Sequence, residues 1–478
     1  MNTTKKLLAM LLAISVCAPF CACGKDDESS SSSSSSVSVA ERDESQQETL
    51  KSVTERFTDY LIENEGYASA EDIKLENPTI KWLSWWDINP QNDGDTISTD
   101  LQLFQDVYGG TVEYHVTEWG ARFDTLATSI IGGEGIDFFS ACDPDIFPKT
   151  AIKGQFVPFD DYIDLESELW EDTSEFCDMF TYDGGHYVAV CDVGPAAMCI
   201  YNKNTISSNG LPDPAELYRN DEWNWDTFKE LCESFVSLSD TNYGIDSWYY
   251  EDALVYTCGD TLITLNDGFI ESNLYSTNIE RAQNFLYDLS TSTNVYLPRA
   301  NYNWTVQPQM LGEGNLLFYV SYNWDLGKSA IEQYGGTENV MIVPMPRDPE
   351  ADEYYHHCSI TAYSFVKNGQ NPEGVAAYLT AKKYAQQTEE LQEISIQDQR
   401  DSGWSDEMIE MYADIKEMVL ENPVYDFSQG CSADLQALIT EGQRAAATGI
   451  TWTEKRTEIE TAFQTEIDAV NAQSAEGE

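Results

Sequence analysis

The stretch "TIKWLSWWDINPQNDGDTISTDLQLFQDVYGGTVEYHVTEWGARFDTLATSIIGGEGIDFFSAC", Thr79–Cys142, decides the fold of this 478-residue chain. Its first eight residues, Thr79 to Trp86, read as a buried strand, and Asn89, Pro90, Asn92 and Gly94 then mark a loop. "STDLQLFQDVYGG" reads as a helix closed by Gly109 and Gly110, since a left-handed residue after the last turn is cheapest for glycine. "TVEYHV" alternates as a strand does, and "ARFDTLATSIIGG" is a helix stopped at Gly132. "GIDFFSAC" is apolar on both faces, as central parallel strands are. Strand, helix, strand, helix, strand predicts an α/β lobe built on a parallel sheet.

Toward the N-terminus, Ala40–Gly66 is charged and helix-prone, with an apolar repeat through Leu50, Val53, Phe57, Tyr60 and Leu61 that predicts a helical extension. Further upstream, Lys5 and Lys6 precede an apolar run from Leu7 to Ala22. That run is short for a bilayer span, and with its basic flank it reads as a secretory signal. Phe20-Cys21-Ala22-Cys23 resembles a bacterial lipobox, which makes Cys23 the expected lipidation site; an ordinary secretory signal is the alternative. The serine run behind it is then a flexible spacer. The expected location is extracytoplasmic, lipid-anchored at the cell membrane. Toward the C-terminus the pattern becomes helix-rich, in "NWDTFKELCESFVSL", "NIERAQNFLYDLS", "PEGVAAYLTAKKYAQ" and "EKRTEIETAFQTEIDAV".

Composition narrows the function. Net charge is −57, so phosphate backbones are repelled and no nucleic-acid partner is expected. Of 11 cysteines, eight lie in the body: Cys142, Cys177, Cys191, Cys199, Cys232, Cys258, Cys358 and Cys431. An even number in an exported chain permits disulfides, while apolar surroundings such as "AAMCIY" suit buried free thiols equally. The four histidines are His115, His186, His356 and His357, and neither H-E-x-x-H nor G-x-S-x-G occurs. "GGEGID" and "GEGN" lack the phosphate-loop lysine. His356-His357-Cys358 are adjacent and poorly spaced for one ion, so no metal and no cofactor is expected.

An ordered series of segments carries a resemblance. "TIKWLSWW" is followed by "FDTLATSIIGGEGIDFFSA", "GQFVPFDDYI", "IYNKNTISSNGLPDPAE" with "WNWDTFKEL", "MLGEGNLLFYVSYNW", "VMIVPMP" and "NPEGVAAYL". In that order the chain resembles the extracellular solute-binding proteins, family 1, of carbohydrate ABC importers (the maltose-binding class). "HHCS" before "ITAYSF" departs from the small residues expected there. The resemblance implies a two-lobed α/β fold of the type II periplasmic-binding-protein kind, each lobe a mainly parallel sheet flanked by helices, with ligand between the lobes. The implied divisions are 1–22 signal, 23–45 anchor and linker, 46–77 helical extension, 78–195 with 346–405 lobe 1, and 196–345 with 406–470 lobe 2. Crossings are expected at Val193–Ala197, at Pro344–Pro346 and around 400–410. A carbohydrate ligand, membrane permease subunits and a monomeric state are implied as well.

Sugars offer apolar ring faces and a rim of hydroxyls, so a site needs aromatic plates and carboxylates. The candidate plates are Trp85, Trp86, Trp119, Trp248, Tyr249, Tyr322 and Trp324; the candidate acceptors are Asp87, Asp143 and Asp145. The resemblance puts Asp145 at the class's ligand-binding aspartate, Tyr322 and Trp324 near its stacking tryptophan, and "DSWYYED" near its tyrosine loop. Trp223 and Trp225 flank a helix start and are expected to pack. A tethered glycoside hydrolase and a receptor for peptide or another nutrient are the competing readings.

Overall fold

The structure, a computed structural model, describes residues 38–142, 145–266 and 269–476. The expected signal, Cys23, most of the serine linker and Asp143 lie outside the described residues. No described helix is long and apolar enough to cross a membrane.

Helix α1 (Glu44–Asn64) is capped by Asp43, which accepts from the Gln46 amide, and it buries Leu50, Val53, Phe57 and Leu61. The Phe57 ring stacks on Tyr384 at 4.3 Å. The extension is thus part of the core, and Ser38–Ala40 before it are hydrogen-bonded to the Asp93–Asp95 turn. Then come strand β1 (Thr79–Ser84), helix α2 (Thr99–Tyr108), β2 (Thr111–Val116), α3 (Arg122–Gly132) and β3 (Phe138–Ser140). Gly109 ends α2 at φ 71° and Gly133 ends α3 at φ 71°, both in the left-handed region. β1 pairs parallel with both β2 and β3, Trp82 lying between Tyr114 and Phe138. The βαβαβ order predicted from Thr79–Cys142 is present.

The remaining strands of this sheet come from far along the chain: β4 (Phe156–Val157), β5 (Ala189–Pro195), β10 (His356–Val366) and β11 (Pro423–Val424). β10 runs antiparallel to β3, β4 and β5 and parallel to β11, so the large sheet is mixed around a parallel core. A second, four-stranded sheet among the described residues holds β6 (Met198–Asn202), β7 (Tyr243–Asp246), β8 (Leu316–Ser321) and β9 (Val340–Val343) in the order 9-6-8-7. There β7 and β8 are parallel, and β6 is antiparallel to β8 and β9.

Helices α4 (Trp225–Val236) and α5 (Tyr250–Tyr256) accompany the small sheet, and α6 (Pro372–Gln387), α7 (Glu389–Asp401), α8 (Asp406–Glu421) and α9 (Ala433–Gln443) follow β10. Asn224 and Thr227 form a capping box at the start of α4. Trp223 and Trp225 beside it are buried, their indole N–H groups donating to the Pro344 carbonyl (2.8 Å) and Thr257 Oγ1 (3.0 Å), so both pack as expected. All eight body cysteines are free thiols, and burial pushes seven of them up, for example Cys358 to about 12.

Candidate ligand-binding site

Strand register fixes where the two sheets point. β10 pairs Tyr363 with Ser140 of β3 and Ser359 with Gly194 of β5, so β5 runs on past the carboxyl end of β3. After Ala196 and Ala197 the chain enters β6 at Met198, which pairs with Ser321, the last residue of β8. β7 is parallel to β8, with Asp246 opposite Tyr319. The carboxyl ends of β1 and β3 in one sheet, and of β7 and β8 in the other, therefore point toward the same seam, at the Pro195–Met198 crossing. Carboxyl ends of parallel strands are where open α/β sheets place ligands. Helix α8 lines the seam: Lys416 Nζ meets Asp192 Oδ1 at 2.6 Å, and Asn323 Nδ2 donates to Tyr412 Oη at 3.0 Å. Tyr412 Oη would stand 3.2 Å from a Cβ on Gly194.

On the large-sheet side, Trp85 and Trp119 meet edge-on at 4.7 Å. The Arg122 guanidinium lies 3.5 Å from the Trp119 ring centroid and 5.6 Å from that of Trp85. Arg122 is buried, paired with Asp145 and donating to the Trp119 carbonyl. Asp145 Oδ1 is closed to solvent with no hydrogen-bond partner among the described residues. Trp86 instead turns into the core, edge-on to Trp82 at 5.3 Å, and its carbonyl accepts from the Trp82 indole. Asp87 closes its own loop, Oδ1 accepting from both Asn89 nitrogens at 2.9 Å.

On the small-sheet side, Tyr249 meets Tyr322 edge-on at 4.9 Å, and Tyr322 stacks on Trp324 at 6.0 Å. Trp324 is 62% exposed at the end of β8. Trp248 lies over the Arg299 guanidinium at 5.1 Å. The aromatic residues named from the sequence thus form one contacting pair after β1 and β2 and one contacting group after β7 and β8. Two hollows of about 390 and 380 Å³ line other surfaces, around Asn89–Asp95 and Tyr218–Trp223, and contain none of these plates.

Sequence reasoning missed the polar groups behind the second set. Asp252, in α5, has Oδ1 closed to solvent and without a hydrogen-bond partner among the described residues. Burial, reinforced by the charges of Glu251 and Asp426 and opposed by Arg444, pushes its carboxyl up to about 8. Burial also raises Glu251 and Asp426. Asp426 accepts from Tyr256 Oη (2.5 Å) and from Ser428, while Gln443 of α9 donates to Tyr256 Oη (2.5 Å). The Tyr256 ring lies 4.6 Å from His357, joining α5 to β10 across the seam. His356 is buried and His357 half-buried, desolvation pushes both down to about 4, and no cluster suited to a metal ion occurs among the described residues. In sequence "YYED" looks like a solvated helix start; only tertiary burial makes Asp252 unusual.

Solved structures share this architecture. A cyclic α-maltosyl-1,6-maltose binding protein from Arthrobacter globiformis aligns with TM-score 0.61 at 13% identity, over 82% of this chain and 99% of its own. A receptor of Streptomyces glaucescens, solved unliganded and with acarbose, gives 0.59 at 13% identity, over 82% and 99%. The galacto-N-biose/lacto-N-biose I-binding protein of an ABC transporter from Bifidobacterium longum gives 0.58 at 13%, over 83% and 99%. No protein of curated function matches the chain in sequence. The family model of the bacterial extracellular solute-binding proteins matches residues 90–386, more than half of the sequence, and the chain belongs to that family.

Proposed function

We propose that the protein is the capture receptor of a carbohydrate ABC importer, holding a sugar or oligosaccharide in the seam between its two sheets. One observation carries this reading: paired aromatic plates follow the carboxyl ends of strands in both sheets, Trp85 with Trp119 after β1 and β2, and Tyr249 with Tyr322 and Trp324 after β7 and β8. Aromatic faces are the chemistry that a pyranose face needs. Saccharides are also what the similar structures are named for. Arg122, held by Asp145, positions the first pair of plates; Trp248 and Asp252 complete the second group. Trp86 and Asp87 act through the loop they hold, and Asp143, two residues before Asp145 in the sequence, is assigned to the acceptors. Binding closes the two lobes, and the closed form is what the permease engages; no covalent step is involved.

A thermal-shift screen against mono- and oligosaccharides tests this. A bound ligand adds RT ln(1 + [L]/Kd) to stability, about 2.7 kcal/mol at a hundredfold excess over Kd. A saccharide-specific rise in melting temperature is expected; a rise with peptides alone would contradict the reading. We place the anchor at Cys23, at the membrane's outer face, with a monomeric body. Cys23→Ala should release the protein from membranes, and continued co-sedimentation with them would refute the anchor.

A further inference from the structure

We infer that Trp304 is a further stacking subsite beside Trp248, so that the ligand is an oligosaccharide reaching from the Tyr322–Trp324 pair to the 299–307 loop. This rests on the carbohydrate-receptor reading and extends it to ligand length.

The loop is built around one buried carboxylate. Asp246, the last residue of β7, is 1% exposed. Its Oδ1 accepts from Arg299 Nε at 3.1 Å and its Oδ2 from the Gln307 amide at 2.6 Å, so it ties down both ends of the loop. Arg299 also donates to the Ser247 carbonyl. The loop is therefore fixed to the carboxyl end of β7, the end that faces the seam.

Between those ties the backbone is strained. Asn303 and Trp304 are consecutive left-handed residues, at φ 54° and 62°. Asparagine tolerates that region; a bulky aromatic does so only when its surroundings hold it there. Here the Trp304 amide donates to the Arg299 carbonyl at 2.9 Å, and the Thr305 amide to the Tyr302 carbonyl at 3.1 Å. Packing does not call for this conformation, because the Trp304 side chain is 70% exposed. A buried Asp–Arg bracket thus presents an indole to solvent. The same residue serves two exposed tryptophans: the Arg299 guanidinium lies over Trp248, and its backbone carbonyl accepts from the Trp304 amide. Trp248 directly precedes Tyr249, whose ring meets Tyr322, so aromatic surface extends from the Tyr322–Trp324 stack toward this loop, an arrangement that suits a chain of sugar rings better than a single ring. Asn301 and Asn303, both exposed, flank Trp304 with amide groups that can meet hydroxyls.

Calorimetric titration with malto-, cello-, xylo-, manno- and galacto-oligosaccharides, from monosaccharide to hexasaccharide, tests the subsite. In the unaltered protein, affinity should rise with chain length within the series that binds. Trp304→Ala should lose about tenfold on the longer members and leave the shortest bound member unchanged. Trp304→Phe should recover most of that loss, and both variants should melt with the parent because the side chain is exposed. Equal affinity of Trp304→Ala and parent for the longest bound saccharide overturns the subsite, as does an equal loss at every length. If the unaltered protein binds no member of the panel, the receptor reading fails and takes this inference with it.

Discussion

At Asp252, burial and two neighbouring carboxylates raise the pKa to about 8, against about 3.9 in an unfolded chain. Between those values the folded protein holds a proton that the unfolded chain has released. Stability contributed by this group is therefore present at acid pH and falls as pH rises, by about 1.4 kcal/mol per pH unit, levelling above 8. Asp252→Asn should flatten that decline, seen as urea midpoints that diverge in the variant's favour from pH 5 to pH 8. Parallel midpoints across that range would contradict the assignment. Asp100 behaves oppositely: burial pushes its carboxyl up, but the Lys382 ammonium at 2.6 Å outweighs it and holds the carboxyl below its usual value. Its contribution is lost as pH falls, so the two aspartates bend the stability profile from opposite ends. Neither stands out in the sequence, where both sit among 83 acidic residues. The aromatic plates were easier to see, because tryptophan at the polar end of an apolar strand is rare whatever the tertiary context.

Between elements, the ion pair of Asp100 in α2 with Lys382 in α6 is sensitive to a single change. Both side chains are largely buried, 12% and 15% exposed. Breaking a buried pair from one side leaves the other charge without compensation, typically about 3–5 kcal/mol. Lys382→Met should lower stability by about that much, and adding Asp100→Leu should restore most of it. A double variant no more stable than the single would contradict the pairing account. The elements also divide by how far their signals travel. β1, α2, β2, α3 and β3 were legible because their signals are local: apolar runs or alternation in the strands, and glycine stops after the two helices. The antiparallel course of β10 was not, since it comes from pairing Tyr363 with Ser140 across more than two hundred residues. The 299–307 loop was silent for the same reason: "RANYNWTVQ" reads as an ordinary polar connection until Asp246 is seen to hold both its ends.

For the whole molecule, we propose lobes divided as 78–195 with 346–405 and 196–345 with 406–470, hinged at Val193–Ala197, Pro344–Pro346 and around 400–410, with β11 of the last segment pairing back onto the large sheet through β10. The N-terminal extension packs through Phe57 on Tyr108 and Tyr384, and Arg42 pairs with Asp398 of α7, so the tether would travel with the large sheet while the small-sheet lobe moves. Solution scattering should show a smaller radius of gyration with saturating saccharide; an unchanged radius would argue against closure. The central claim is that plates from both sheets grip one ligand. The most direct check compares the saccharide affinities and melting temperatures of Trp119→Ala and Trp324→Ala. Both residues are substantially exposed, 37% and 62%, so both variants should melt close to the parent. Each should weaken the best-bound saccharide by about thirtyfold, or about 2 kcal/mol. Affinity lost from one side only, or from neither, would contradict a site shared between the two sheets.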